Sequence, residues 1–280
     1  MDLLTLLPLI AKISILVFVV GSMFALGLNL TVTEILDPLK NKKLVALALL
    51  VNFVLVPLLA YAVLFILPVG EGVRIGLILL ATAAGAPFLP KLAEVAKGDI
   101  AFSVGLMLLL MVGTVIYLPL VLPLALEGAE VDALQIAKSL VITMLLPLFV
   151  GLFLRAKSEA LSLRCQPYVA KLSNLALVLL AVLLVSLNFS NILSMIGWGG
   201  FAIVLFIAVS LGAGLLLGGS QNKVRNVMGL GAAQRNVSAA LVVGQSLNDP
   251  QVLVVLVVAA IMGLLMLMPI AKILGKGQKA

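Results

Sequence analysis

Apolar residues run along this chain in nine blocks, near residues 3–30, 44–67, 73–97, 100–125, 133–154, 168–189, 197–218, 224–247 and 251–271. The separators are short and polar, as in Asp37-Pro38-Leu39-Lys40-Asn41-Lys42-Lys43, Lys97-Gly98-Asp99 and Asn248-Asp249-Pro250. A helix needs about 20 predominantly apolar residues to cross the hydrocarbon core of a bilayer. The pattern therefore predicts an all-α polytopic membrane protein with nine transmembrane helices, and no separator is long enough to fold alone. The polar run from Arg155 to Pro167 is expected to be a loop.

Two of the blocks are interrupted. The third carries Ala84-Gly85-Ala86-Pro87-Phe88-Leu89-Pro90 at its middle, and the eighth carries Gly229-Leu230-Gly231-Ala232-Ala233-Gln234-Arg235-Asn236. A shift of 150 residues places Ala83 on Ala233 and Asp99 on Asp249. Five spans apart, the two blocks cross in opposite directions. Paired broken helices in inverted repeats point to a secondary transporter with its site near the midplane. The expected organisation is one transmembrane domain, 1–280, with repeats over about 1–126 and 133–275 and breaks around 85–90 and 231–236.

Composition removes the competing classes. The chain is 64% hydrophobic and 10% charged, which leaves no room for a soluble catalytic domain. With no histidine and one cysteine, Cys165, it has no means to build a zinc site or a histidine-based triad. No mid-span acid pair and no Ser-Lys dyad is apparent either, so the reading is not an enzyme, with no metal or cofactor. The net charge of +7 would raise nucleic acid in a soluble protein. Here the charges instead sort by loop: with the N-terminus outside, fourteen Lys and Arg fall on the inner side and two, Arg74 and Lys138, on the outer. That is a positive-inside bias. It predicts a multi-pass protein of the cell (inner) membrane with its C-terminus in the cytoplasm and no nucleic-acid partner. The first block reads as a retained span, since Asp2 stands where a leader would be basic.

The eleven acidic residues all fall in separators or at block ends, and Lys12 is near enough to the N-terminus to snorkel. Arg235 is different. It stands halfway along its block, where a charge costs on the order of 2.5–3.5 kcal/mol. No carboxylate is available to offset it. The remaining partners are carbonyls freed by the breaks, the amides of Asn52, Gln234 and Asn236, water, or an anionic ligand. The half-helices that follow the breaks also begin at mid-depth, and helix N-termini attract anions. A carboxylate-bearing substrate and a structural arginine pinning the crossing are both open, and the two roles are compatible. Thr82, Ser103, Thr114, Tyr117, Thr143, Asn174 and Ser186 read as helix–helix hydrogen-bonding groups, and Gly214 with Gly218 as a close-packing pair.

Certain segments resemble the bile acid:sodium symporter family: Ser22-Met23-Phe24-Ala25-Leu26-Gly27-Leu28-Asn29-Leu30-Thr31, Asn52-Phe53 followed by Pro57, the small-residue break leading to Lys97-Gly98-Asp99 and Ser103-Val104, and Gln234-Arg235-Asn236. The resemblance covers essentially the whole chain and identifies it as a nine-span variant of commonly ten-span proteins. It implies a panel domain beside a core domain in which two broken helices cross, and alternating access of an organic anion. It also implies where sodium would bind. One site takes side chains at Leu89, Pro90, Ser103 and Met107 and an acid where this chain has Gly231; the other takes that acid with two amides, here Asn52 and Arg235. With the acid gone and a guanidinium in place of a ligand, Arg235 substitutes for the sodium charge. Asn236 matches a substrate-facing Asn, and Pro87 stands where a substrate-contacting Thr is often found.

The resulting expectation is a carrier of a small organic anion, not driven by sodium, working as a monomer in the lipid bilayer. Its substrate-binding residues are Arg235, Asn236, Gln234, Pro87, Phe88 and Ser238, and the remnant of an ion site is Asn52, Ser103 and Arg235. The alternatives are sodium-coupled symport through carbonyls and Asn52, and a membrane sensor or scaffold without flux.

Overall fold

The computed structural model describes residues 3–36, 40–126, 132–187 and 197–277. The separators expected around 37–39, 127–131 and 188–196 lie outside the described residues. All regular structure among the described residues is helical. In chain order the helices are α1 (Leu3–Asn29), α2 (Val32–Leu36), α3 (Lys42–Leu50), α4 (Val56–Ile66), α5 (Glu71–Thr82), α6 (Leu89–Val95), α7 (Ile100–Ala125), α8 (Ala133–Leu140), α9 (Leu146–Lys157), α10 (Glu159–Leu187), α11 (Trp198–Leu217), α12 (Asn222–Ala233), α13 (Val237–Ser246) and α14 (Pro250–Lys276). Seven continuous helical stretches are long and apolar enough to cross a membrane. The third and eighth apolar blocks are instead each a pair of short helices, α5 with α6 and α12 with α13, joined by unwound segments at 83–88 and 234–236.

The run from Arg155 to Pro167 is a correction: the chain leaves helix only at Ser158, and Pro167 lies inside α10. Polar composition there marks a helix that outruns the apolar layer.

Two continuous stretches contain a π-helical turn, Val51–Leu55 between α3 and α4 and Val141–Leu145 between α8 and α9. Each is followed by a proline, Pro57 or Pro147, which has no N–H to give the carbonyl behind it. Aspartates start two of the long helices. Asp99 Oδ1 accepts from Phe102 N at 2.9 Å to open α7, and Asp249 Oδ1 accepts from Gln251 N at 2.8 Å to open α14.

The helices sort into two groups. Helix α1 packs mainly on α10 and α9. Its contact with α9 is set by Gly27 and Gly151, where a Cβ on Gly151 would lie 2.6 Å from the Phe24 carbonyl. Ser173 Oγ on α10 donates to Phe18 O of α1 at 2.8 Å. The second group holds α3 to α7, α11 to α13 and α14, with α11 lying close along α12. There Gly214 meets the backbone of Met228 and Gly229, and Gly218 meets Arg225, so the small-residue pair does pack two backbones together. Helix α13 packs against α1 of the first group as well as against α8 and α14, whereas α6 packs on α7, α12 and α14 of its own group.

Candidate functional site at the crossing of two broken helices

Both breaks lie in the second group and touch each other. Asn236 N donates to Ala83 O at 2.9 Å, and Asn236 Nδ2 donates to Gly85 O at 3.0 Å. The same side chain accepts from Ala239 N at 3.0 Å and so caps α13. Gly85 holds φ at +79°, and a Cβ there would collide with Met111 N and Met107 O of α7. Only glycine meets both demands. One turn further along α7, Thr114 Oγ1 accepts from Ala84 N at 2.9 Å and donates to Ala84 O at 3.0 Å. The unwound backbone is thus tied down by side chains from two neighbouring elements.

Arg235 is 4% exposed, and protein oxygens surround its guanidinium. Nε donates to Leu80 O at 2.9 Å and Nη2 to Ala81 O at 2.7 Å; Nη1 donates to Asn52 Oδ1 at 2.8 Å and to Ala232 O at 3.3 Å. The Asn52 carbonyl lies 3.5 Å from Nη2. All five N–H donors of the fork are therefore matched.

The identity of these acceptors explains the position. Leu80 and Ala81 are in the last turn of α5 and Ala232 is in the last turn of α12, so Arg235 stands where two helix C-termini converge. Each carries free carbonyls and the negative end of a helix dipole. Asn52 sits in the first π-helical turn, where Val56 N bonds back to Val51 O and Pro57 has no N–H for the Asn52 carbonyl. Its side chain is steadied by Nδ2 donating to Ala48 O at 3.0 Å. Next to it Tyr117 Oη donates to Phe53 O at 2.7 Å, with the two rings 4.8 Å apart.

The other residues named from the sequence fall in three places. Pro87 is half-buried and Phe88 is 36% exposed, both at the start of α6. Ser238 is buried in the first turn of α13. Gln234 is buried and takes none of the hydrogen bonds that hold the crossing. It borders a cavity between α11 and α14, lined by Phe206, Ile207 and Gly263, with about 20 Å³ of room for the centre of a water molecule. Ser103 Oγ turns back to Ile100 O at 2.6 Å, inside its own helix. Gly231 is enclosed by Leu89 and Leu106, whose methyls would lie 3.1 and 3.3 Å from an added Cβ, and Met107 is fully buried. Sequence reasoning named Asn52 and freed carbonyls as partners for Arg235, but not Leu80 and Ala81, whose side chains carry no signal.

The family model described as the Sodium Bile acid symporter family matches residues 14–195, well over half of the chain. The chain belongs to this family. It is a family of transporters, not of enzymes. A curated relative, "Probable sodium/metabolite cotransporter BASS3, chloroplastic" of Arabidopsis thaliana, is 28% identical over 255 residues. The match covers 87% of this chain and 59% of the relative, so the chain spans well under two thirds of that protein's length.

Proposed function

We propose that this symporter-family chain is a secondary transporter that moves a small organic anion by alternating access and carries its cation built in. The observation that supports this most is the guanidinium of Arg235 among Leu80 O, Ala81 O, Ala232 O and Asn52 Oδ1. In discontinuous-helix transporters, half-helix C-termini and unwound carbonyls are where a coupling cation sits, while half-helix N-termini face the anionic substrate. Here the C-terminal ends of α5 and α12 are occupied by a side chain that cannot leave and cannot practically lose its proton. At the second cation position Leu89 and Leu106 close around Gly231, Met107 is buried, and the Ser103 hydroxyl is turned back to Ile100 O.

In this reading the chain is a single domain of nine membrane passes in inverted repeats, seven of them continuous and two broken, with the N-terminus outside and the C-terminus in the cytoplasm. Matching details in the two broken units support it. Two residues after α6 Lys97 has φ +48°, two residues after α13 Asn248 has φ +53°, and an aspartate caps the next helix after each. Pro87, Phe88, Ser238 and the first turn of α13 meet the substrate. Asn236 shapes that surface while it pins the crossing. Arg235 acts as a fixed positive charge behind it, and its donors are spent on the two C-termini.

The competing reading is sodium-coupled symport, which the printed name of the plant relative favours. Uptake of small carboxylates into proteoliposomes, with external sodium replaced by choline, separates the two. The expected result is a flux that stays within about twofold. A loss of tenfold or more would overturn the built-in cation.

A further inference from the structure

The two half-helices beyond the breaks bury very different surfaces. In α13, Ser238 is 2% exposed and Leu241 fully buried, and Gly244 on the same edge is buried against Leu256. At the corresponding places in α6, 150 residues earlier, stand Phe88, Lys91 and Glu94. Phe88 is 36% exposed, and the Lys91 and Glu94 side chains are 55% and 58% exposed, with Lys91 Nζ held 2.7 Å from Glu94 Oε2. One edge of α6 is therefore uncovered from the break outward, and it carries a pair of opposite charges.

Glu94 is in the last turn of α6, but Lys91 is in its first, beside the break. Helix α6 is seven residues long and begins at the break, so Lys91 stands within about 10 Å of the turn at Lys97 yet only one turn from the crossing. Ionisable side chains within a spanning segment face a water-filled cavity or a partner, not lipid. The same end of the core also gathers Lys97, Lys223 and Lys276. Asp99 N donates to Lys223 O at 3.4 Å, and Gly275 lies against Val95 and Ala96. Against Glu94 and Asp99 the lysines leave this end with an excess of positive charge, and a crevice with an excess of one sign concentrates the opposite sign.

From this we infer that Phe88, Lys91 and Glu94 line a water-filled crevice leading to the crossing, and that Lys91 recruits the anion there. Glu94 holds Lys91 until the substrate's carboxylate takes its place. This rests on the anion-transport reading for its biological meaning, but not for its test.

The test uses charged thiol reagents as the anion and cation, in a Cys165→Ser background with the protein in liposomes. Phe88→Cys is expected to react with both anionic and cationic methanethiosulfonates, the anionic one favoured. Adding Lys91→Gln should lower the anionic-to-cationic rate ratio by about fivefold, the size expected for one charge about 7 Å away in a wet crevice. Glu94→Gln should raise that ratio. Leu241→Cys, at the matching place in α13, should not react. Lys91→Cys checks the crevice independently if Phe88→Cys folds poorly. Unreactive cysteines at both positions, or a ratio that ignores Lys91, would overturn the proposal. Sodium dependence of uptake would not touch it, so the two failures are distinguishable.

Discussion

The two breaks solve one problem by opposite means. At 83–88 the chain is unwound by composition: Pro87 and Pro90 withhold donors, Gly85 takes a backbone angle barred to other residues, and every polar anchor comes from elsewhere. Thr114 holds Ala84, Asn236 holds Ala83 and Gly85, and Arg235 holds Leu80 and Ala81. At 234–236 there is no proline or glycine, and the break supplies its own side chains. The first break offers acceptors and the second offers donors. An unwound backbone inside a membrane needs its freed groups satisfied internally, and here each break depends on its partner. The crossing is thus one unit: a change on the donor side should be felt at both helices.

The largest effect is expected from Arg235→Ala. It removes the donor for the ends of α5 and α12 together and leaves Leu80, Ala81 and Ala232 carbonyls facing one another. Each buried acceptor left without its donor costs about 1–3 kcal/mol, and Leu80 O, Ala81 O, Ala232 O and Asn52 Oδ1 lose theirs together. Thermal unfolding in detergent should show a large drop, and Arg235→Lys should recover only part of it, since a point charge cannot fork to two helices. If Arg235→Ala melted like the parent, the two breaks would be stable independently and the comparison would fail.

Thr114→Val probes the acceptor side with less at stake. It keeps the shape and loses both bonds to Ala84, leaving a buried N–H and carbonyl, at a cost of about 1–3 kcal/mol. The loss should be local. Hydrogen exchange at the end of α5 should rise while the amides of α12 keep their protection; an equal rise in both would mean that Thr114 also anchors the donor side.

Much of this was legible in the residues, and the parts that were not have a common cause. A mid-span charge without an acid announced Arg235, and proline, glycine and polar clusters announced the breaks within a few residues. Asn52 was a plausible partner because few polar side chains share that depth. What the residue types hid was backbone geometry. No side chain marks Leu80 and Ala81 as acceptors, and a π-helical turn at Val51–Leu55 looks like any apolar stretch until Pro57 is seen to free a carbonyl. Polar glue was equally ambiguous: Thr114 reaches the unwound segment and Tyr117 another helix, whereas Thr82, Ser103 and Thr143 bond within their own. Lys91 was assigned to the surface because a half-helix one turn from the midplane leaves no periodicity of its own to read.

The smallest effect sharpens the comparison most. Gln234 adjoins Arg235 in the donor break and is the polar side chain of Gln234-Arg235-Asn236 with no part in the crossing. It lines a cavity with Phe206, Ile207 and Gly263, away from the hydrogen bonds of the crossing. If the break works through specific donors and not through general polarity, Gln234→Leu should change stability by no more than about 0.5 kcal/mol, because no bond of the crossing is lost and an apolar wall is extended. Transport and the unfolding temperature should then match the parent. A loss comparable to that of Thr114→Val would show instead that a water in this cavity links Gln234 to the crossing, and the donor side of the site would have to include it.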